Sequence, residues 1–153
     1  MSGYFHIGVL VRELAAAIPQ WEKVLGITFN PPRIVPSSVL FHGERVDSDV
    51  YVSYSRQVPY IELIQGHSEG YLSIAGGEGI HHLGLWTPTP GEEWNERFGG
   101  LTQEVEFDAM GGDIRVRLTA PQSLNGVRLE LVDERTRPMQ EAMIAGAQWG
   151  DDA

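Results

Sequence analysis

The chain contains no cysteine among its 153 residues, so disulfide bonds and thiolate metal ligands are excluded. Basic residues are few: 11 Lys and Arg against 21 Asp and Glu give a formal net charge of −10. This charge argues against nucleic acid and anionic membranes as partners, because both are recognised through basic patches. No apolar run approaches the roughly 20 residues of a membrane span. The N-terminus has no basic segment followed by an apolar one, so we expect a cytoplasmic protein without a signal peptide.

Two stretches of the sequence resemble each other, and both place a histidine inside a predicted strand. FHIGVLV near the N-terminus and IHHLGLW in the middle of the chain align His6 with His82. A second pair, YIELI and RLELV, aligns Glu62 with Glu130. Buried carboxylates are rare unless they are paired or bind a metal. The repeat therefore predicts one metal site that two modules share, with four ligands: His6, Glu62, His82 and Glu130.

Apolar periodicity and turn residues predict an α+β fold within a single domain, residues 1–153. The first module covers about 4–66 and the second about 79–134, and the elements of each follow the order β-α-β-β-β. Within the first module, the alternating pattern at 46–54 predicts one unbroken strand. A short helix follows the second module at about 137–147.

Three further residue sets are candidates for contacts. His81 alternates to the face opposite His82 and is expected to have a structural or supporting role. Trp86 shares the face of His82 and is a candidate for substrate binding. The C-terminal helix carries an apolar side that we expect to be exposed, which favours a homodimer: Met139, Met143 and Ile144.

The chemistry of the predicted site follows from its donors. Two imidazoles and two carboxylates suit one divalent ion, and they do not distinguish Zn²⁺, Ni²⁺, Co²⁺, Mn²⁺ and Fe²⁺. Four protein ligands leave room for a small-molecule substrate with adjacent oxygens, whose carbonyl the ion would polarise. A carboxylate beside the metal is the natural base for the neighbouring proton. Glu130 is our first candidate for that base and Glu62 the second.

The motifs FHIGVLV, WEKVLG, YIELIQG, GIHHLGLW and VRLELVDE, taken in this order, resemble the vicinal oxygen chelate superfamily. This superfamily contains glyoxalases, bleomycin-resistance proteins and extradiol dioxygenases, and the resemblance is strongest to its glyoxalase-like branch near methylmalonyl-CoA epimerase. It implies two tandem βαβββ modules that form a cupped, half-open β-barrel with the metal inside. It also implies ligand roles for His6, Glu62, His82 and Glu130.

Some positions depart from the patterns of the relatives. Leu10 stands where glyoxalase I has an arginine that anchors glutathione, and Gly66 stands where it has an asparagine. Both departures argue against a glutathione adduct as substrate. Epimerases usually have glutamine at the position of Glu62, and their additional carboxylate would correspond to Glu44 or Asp47.

Three functions remain open at this stage. The first is a metal-dependent lyase or isomerase that abstracts a proton next to a carbonyl. The second is an Fe²⁺ ring-cleaving dioxygenase, although a fourth protein ligand such as Glu62 argues against it. The third is a non-catalytic protein that sequesters a small molecule, as bleomycin-resistance proteins do. One scaffold hosts many chemistries, so the resemblance alone does not choose among them.

Overall fold

The computed structural model describes residues 3–109 and 113–146 of the chain. The first half contains, in order, β1 (Tyr4–Val11), α1 (Leu14–Leu25), β2 (Arg33–Val35), β3 (Ser38–Phe41), β4 (Glu44–Asp47), β5 (Val50–Tyr54) and β6 (Tyr60–Gln65). The second half contains β7 (Gly79–Thr87), α2 (Glu92–Phe98), β8 (Gln103–Ala109), β9 (Ile114–Thr119), β10 (Leu129–Asp133) and α3 (Arg137–Ile144). Short 3₁₀ turns precede and follow β10. Among the described residues, no helix has the length and apolarity needed to cross a membrane.

All ten strands belong to one curled sheet, in the order β2-β5-β6-β1-β7-β10-β9-β8-β3-β4. At its centre β1 and β7 are antiparallel, while β6 runs parallel to β1 and β10 runs parallel to β7. The two halves are therefore related by an approximate twofold arrangement about the β1–β7 pair. The predicted α+β class and the cupped half-barrel of two modules are confirmed, and the four strands that carry the repeated motifs are neighbours.

A bent hairpin connects the two halves of the cup. The β2–β5 ladder and the β3–β4 ladder share one register, so residues 33–54 form a single long hairpin with an interruption. Pro36, which has no N–H to donate to a ladder, lies at that interruption. Beyond it the hairpin tip pairs through β3 with β8 of the second half. The prediction of one unbroken strand at 46–54 was wrong, because the bend divides it into β4 and β5.

Helices α1 and α2 cover the outer face of the sheet, and a second core fills the inner face. Leu14 of α1 packs with Leu63 of β6, and Trp94 of α2 packs with Leu131 of β10. Successive strand residues point to opposite faces. The glutamates that precede Leu63 and Leu131 therefore face the inside of the cup.

The C-terminal helix α3 lies across the inner face of the cup. Its Met143 and Ile144 are buried, and Ile144 belongs to the inner core of the same chain. The side chains of Asn30 and Arg33 donate hydrogen bonds to the carbonyls of Ile144 and Met143, which lie at the end of the helix. The prediction that Met143 and Ile144 are exposed was wrong, because the first half of the chain covers them. The homodimer stays a prediction, but the apolar side of the C-terminal helix no longer supports it.

Candidate metal centre

The four predicted ligands meet on the inner face of the cup. His6 lies on β1, Glu62 on β6, His82 on β7 and Glu130 on β10, which are four adjacent strands. The two imidazoles are almost completely buried, with 1% of His6 and 3% of His82 exposed. We refer to these residues as the four-ligand cluster.

The ligand atoms of this cluster lie close together. The Nε2 atoms of His6 and His82 are 2.9 Å apart. Glu62 Oε2 lies 3.3 Å from the Nε2 of His6 and 3.2 Å from that of His82. Glu130 Oε2 lies 3.0 Å from the Nε2 of His6 and 3.5 Å from that of His82. All four atoms fall within 4.8 Å of one another.

These separations fit the ligands of a single divalent ion. Metal–ligand bonds of about 2.1 Å place neighbouring ligand atoms roughly 3.0–3.4 Å apart in octahedral or tetrahedral sites. Glu62 Oε2 is buried, and apart from the imidazole nitrogens 3.2 Å and 3.3 Å away it has no hydrogen-bond partner among the described residues. A buried carboxylate oxygen in that situation is costly unless a cation balances it. The residues present therefore fit a metal ion with nitrogen and oxygen ligands.

The protonation of the cluster also favours cation binding. Burial lowers the pKa of His6, but hydrogen bonds to Glu130 and Glu62 outweigh it and raise the pKa to about 10. Burial raises the pKa of Glu62, but hydrogen bonds to His6 and His82 outweigh it and the pKa is lowered. Without a metal, the glutamate charge is thus balanced by a proton on an imidazole. A divalent ion can replace that proton, as metal binding at histidine sites commonly requires.

Two glycines create the space for the imidazoles. Gly84 of β7 pairs with His6 of β1, and Gly8 of β1 pairs with His82 of β7. A Cβ atom on Gly84 would lie 2.0 Å from Cε1 of His6, and one on Gly8 would lie 2.1 Å from Cε1 of His82. Any larger residue would displace the rings. We did not predict this role, although the repeated His-x-Gly spacing in both central strands was its signal in the sequence.

His81 supports His82 through a hydrogen-bonded relay. Gly8 pairs with His82 but Val9 pairs with Ile80, so His81 is the extra residue of a β-bulge. The bulge places His81 at the same cavity as His82, and the prediction that it lies on the opposite face was wrong. Its Nδ1 lies 2.9 Å from Nδ1 of His82, and its Nε2 donates to the Tyr71 carbonyl at 2.7 Å.

The relay determines which nitrogen of His82 carries the proton. Because the Nε2–H of His81 is the donor to a carbonyl, its Nδ1 accepts the proton of His82 Nδ1. Burial lowers the pKa of His81 to about 3, so the ring stays neutral. The Nε2 of His82 then keeps its lone pair, which points into the four-ligand cluster. Such outer hydrogen bonds orient metal-binding imidazoles.

We expect His81→Phe to lower the metal affinity about 10- to 100-fold, because His82 Nδ1–H loses its acceptor. Competition with a metal-binding dye measures the affinity. Long-range ¹H–¹⁵N NMR of the metal-free wild type supplies an independent check, in which His82 should carry its proton on Nδ1 and His81 on Nε2. An unchanged affinity, or a proton on Nε2 of His82, would contradict the relay.

Tyr54 holds the second oxygen of Glu62. Its hydroxyl donates to Glu62 Oε1 at 2.8 Å, and both side chains are buried. Burial and the charge of Glu62 raise the pKa of Tyr54 well above its ordinary value, so the hydroxyl remains a donor. Glu62 therefore has one oxygen held by Tyr54 and the other at the imidazoles.

A cavity of about 250 Å³ opens beside the cluster, and we call it the first cavity. Glu62, His82 and Glu130 lie in its wall, whereas His6 does not. Residues of α3 form another part of the wall, so the C-terminal helix shapes the space next to the ligands.

Trp86 lies at a different place. It stacks on Phe5 with 3.8 Å between ring centroids, and Arg137 lies over its ring. It borders a second cavity of about 490 Å³ together with His6. The structure therefore does not bring Trp86 to the first cavity, and its role in substrate binding stays a prediction.

The positions that depart from the relatives have ordinary structural roles. Leu10 is part of the inner core, and Gly66 lies against Ile74. Glu44 and Asp47 are exposed on β4, outside the first cavity. Neither of these carboxylates is placed to act beside the four-ligand cluster.

Comparison with known proteins identifies the family. The model of the Glyoxalase/Bleomycin resistance protein/Dioxygenase superfamily matches residues 5–96, more than half of the chain, so the protein belongs to this superfamily. A search among curated proteins found no match.

Solved structures share the fold at low identity. A hypothetical protein of Bacillus halodurans is 20% identical, with a TM-score of 0.63, over 86% of this chain and 94% of its own. A methylmalonyl-CoA epimerase in complex with methylmalonyl-CoA and NH4+ is 16% identical, with a TM-score of 0.60, over 87% and 94%. The methylmalonyl-CoA epimerase of Mycobacterium tuberculosis is 19% identical, with a TM-score of 0.55, over 86% and 87%. At such identities the likeness establishes the fold alone.

Proposed function

We propose that this protein is a metal-dependent lyase or isomerase of the glyoxalase or epimerase type, which removes a proton from the carbon next to a carbonyl. The observation that carries the proposal is the convergence of two imidazole nitrogens and two carboxylate oxygens at a cavity of small-molecule size. Membership of the superfamily and the fold shared with methylmalonyl-CoA epimerases support it.

In this proposal His6, Glu62, His82 and Glu130 would hold the ion. A divalent ion held there would supply Lewis acidity, which would polarise a substrate carbonyl and make the neighbouring C–H more acidic. Two neutral imidazoles and two carboxylates leave the loaded site with a net charge near zero. All further steps depend on the side chains of the chain itself.

Glu130 is the better candidate for the base. Its Oε1 receives no hydrogen bond from the described residues, and its side chain is 18% exposed against 10% for Glu62. Both oxygens of Glu62 are occupied, one by Tyr54 and the other at the imidazoles. Glu130 can therefore turn its free oxygen towards a substrate proton in the first cavity, while Glu62 stays in place as a ligand.

The apolar walls of the first cavity support the same step. Val52, Ile64 and Leu118 are buried beside the glutamates and keep bulk water away. Electrostatic interactions are stronger in such an environment than in water.

The test is deuterium exchange at carbon. Metal-loaded protein is incubated in D₂O with a panel of enolisable α-hydroxy ketones, α-keto compounds and thioesters, and ¹H NMR follows the loss of the C–H signal. We expect Glu130→Gln to slow exchange by about 10²–10⁴-fold, because glutamine keeps an oxygen ligand but cannot take a proton. Glu96→Gln, an exposed change on α2, is the matched control.

The outcomes separate the candidate functions. Equal exchange rates for Glu130→Gln and wild type would contradict the role of Glu130. If compounds bind tightly and none of them exchanges, the enzyme proposal fails and a protein that sequesters a small molecule becomes the better interpretation.

A further inference from the structure

The wall of the first cavity contains acidic side chains but no basic side chain of Lys or Arg among the described residues. Among these residues, the ionisable groups in the wall are the carboxylates and imidazoles next to the cluster and two tyrosine hydroxyls. The residues outside the described part, 1–2, 110–112 and 147–153, contain neither Lys nor Arg. No basic side chain of this chain is therefore available in the wall to a substrate anion.

Two arginines that contact residues of this wall, Arg33 and Arg128, are bonded to other groups. Arg33 donates to the Met143 carbonyl on α3. Arg128 donates to Glu104 at 2.8 Å and to the His81 carbonyl at 3.3 Å. Both guanidinium groups are bound to residues around the cavity, and neither is part of its wall.

The remaining wall is mainly apolar. Side chains from both halves of the sheet and from α3 contribute: Val52, Ile64, Phe107, Leu118, Met139 and Met143. At about 250 Å³ the space lies just below the ~300–1,000 Å³ range of typical ligand pockets. A charged group placed against this wall would lose its hydration and gain no partner.

We propose that the first cavity takes a small substrate whose part away from the metal is uncharged and apolar. This part would be an alkyl or aryl group bonded to the carbon atoms that carry the two adjacent oxygens. This inference rests on the proposed function for the position of the oxygens. The apolar wall disfavours substrates that carry a second charged group, because that group would lose its hydration there without gaining a partner. The proposal separates this protein from enzymes that recognise a phosphate or a carboxylate at the far end of their substrates.

Paired hydroxamates test the proposal, because they share one chelating end. Benzohydroxamate is compared with 4-carboxybenzohydroxamate by calorimetric titration of Ni²⁺-loaded protein. We expect the uncharged compound to bind at least about tenfold more tightly, since an unpaired charge in a desolvated site is costly. Equal or tighter binding of the carboxylated compound would overturn the inference.

A variant tests the same point in the opposite direction. Gln140 of α3 lies in the wall of the first cavity, and Gln140→Arg places a cation there. We expect this change to reduce or reverse the preference. Gln122→Arg adds the same charge at an exposed position and should leave the preference unchanged. If both variants behave alike, the wall does not set the selectivity.

A metal-independent measurement separates this inference from the proposed function. Two of the four methionines, Met139 and Met143, line the first cavity, so ¹³C-methyl labelling of methionine places reporters in it. In metal-free protein, benzyl alcohol should shift these signals and 4-(hydroxymethyl)benzoate should not. If the protein binds no metal but this difference appears, the proposed function fails and the cavity assignment stands. If neither compound shifts the signals, the cavity assignment fails.

Discussion

Purified protein should carry about one divalent ion per chain, and a His82→Ala, Glu130→Ala double variant should carry none. The variant removes one imidazole and one carboxylate of the cluster, which lie on the adjacent strands β7 and β10. Their ligand atoms are 3.5 Å apart in the wild type. Two ligands alone, His6 and Glu62, would not retain an ion through desalting. Elemental mass spectrometry measures the content, and the identity of the ion also addresses the Fe²⁺-dependent dioxygenase.

Circular dichroism of the double variant is the control, because a loss of metal is informative only in a folded chain. Glu96→Gln should keep the ion, since its side chain is exposed on α2. If the wild type takes up none of Zn²⁺, Ni²⁺, Co²⁺, Mn²⁺ and Fe²⁺, the enzyme proposal fails and small-molecule sequestration becomes the better interpretation. Retention of the ion by the folded double variant would instead place the metal elsewhere.

Gly84→Ala should expel His6 from the cluster. The added methyl would lie 2.0 Å from Cε1 of the His6 ring, and only 1% of this residue is exposed. The ring cannot move without disturbing Phe5 and Tyr54, which pack against it. We expect the free energy of unfolding to fall by about 1–3 kcal/mol, as overpacking of a core commonly does, and the metal to be lost. Urea denaturation and metal analysis measure the two effects.

A rescue variant distinguishes the steric effect from the loss of a ligand. Adding His6→Ala to Gly84→Ala removes the clash, so part of the stability should return while the metal stays absent. Gly100→Ala is the control, because a Cβ atom there has no neighbour within 4 Å and no left-handed backbone is involved. Normal metal content in Gly84→Ala would show that His6 is not held as the cluster geometry requires.

The repeated motifs nominated the four-ligand cluster, and the resemblance to the superfamily implied the half-barrel. Each half places His in its first strand and Glu in its last, and parallel pairing brings these strands side by side. A pattern of period two predicts which side chains share a face only while the strand is regular. Bulges interrupt the β1–β7 ladder next to His6 and His82, but the structure still brings these two residues together with Glu62 and Glu130. Their metal-binding role stays a prediction until it is measured.

Irregular backbone explains what the sequence pattern missed. The bulge at His81 breaks the alternation, so a side chain assigned to the outer face instead supports His82 from within. The bend at Pro36 likewise divides the predicted strand and sends the hairpin to the opposite edge of the sheet. Neither bulge nor bend follows from apolar periodicity, since both depend on pairing with strands that are distant in sequence.

The sequence by itself determined the composition of the site, its two-module origin and the absence of thiolate ligands, because these depend on residue identity and order. Tertiary structure decided what surrounds the site. An amphipathic helix such as α3 must bury its apolar side, but its sequence does not specify the surface that covers it. Only packing placed Met143 in the first cavity and Trp86 in the second. The pairing register of β5 and β6 placed Tyr54 directly opposite Glu62, and such a register is decided when the strands pair rather than by the residues of either strand alone.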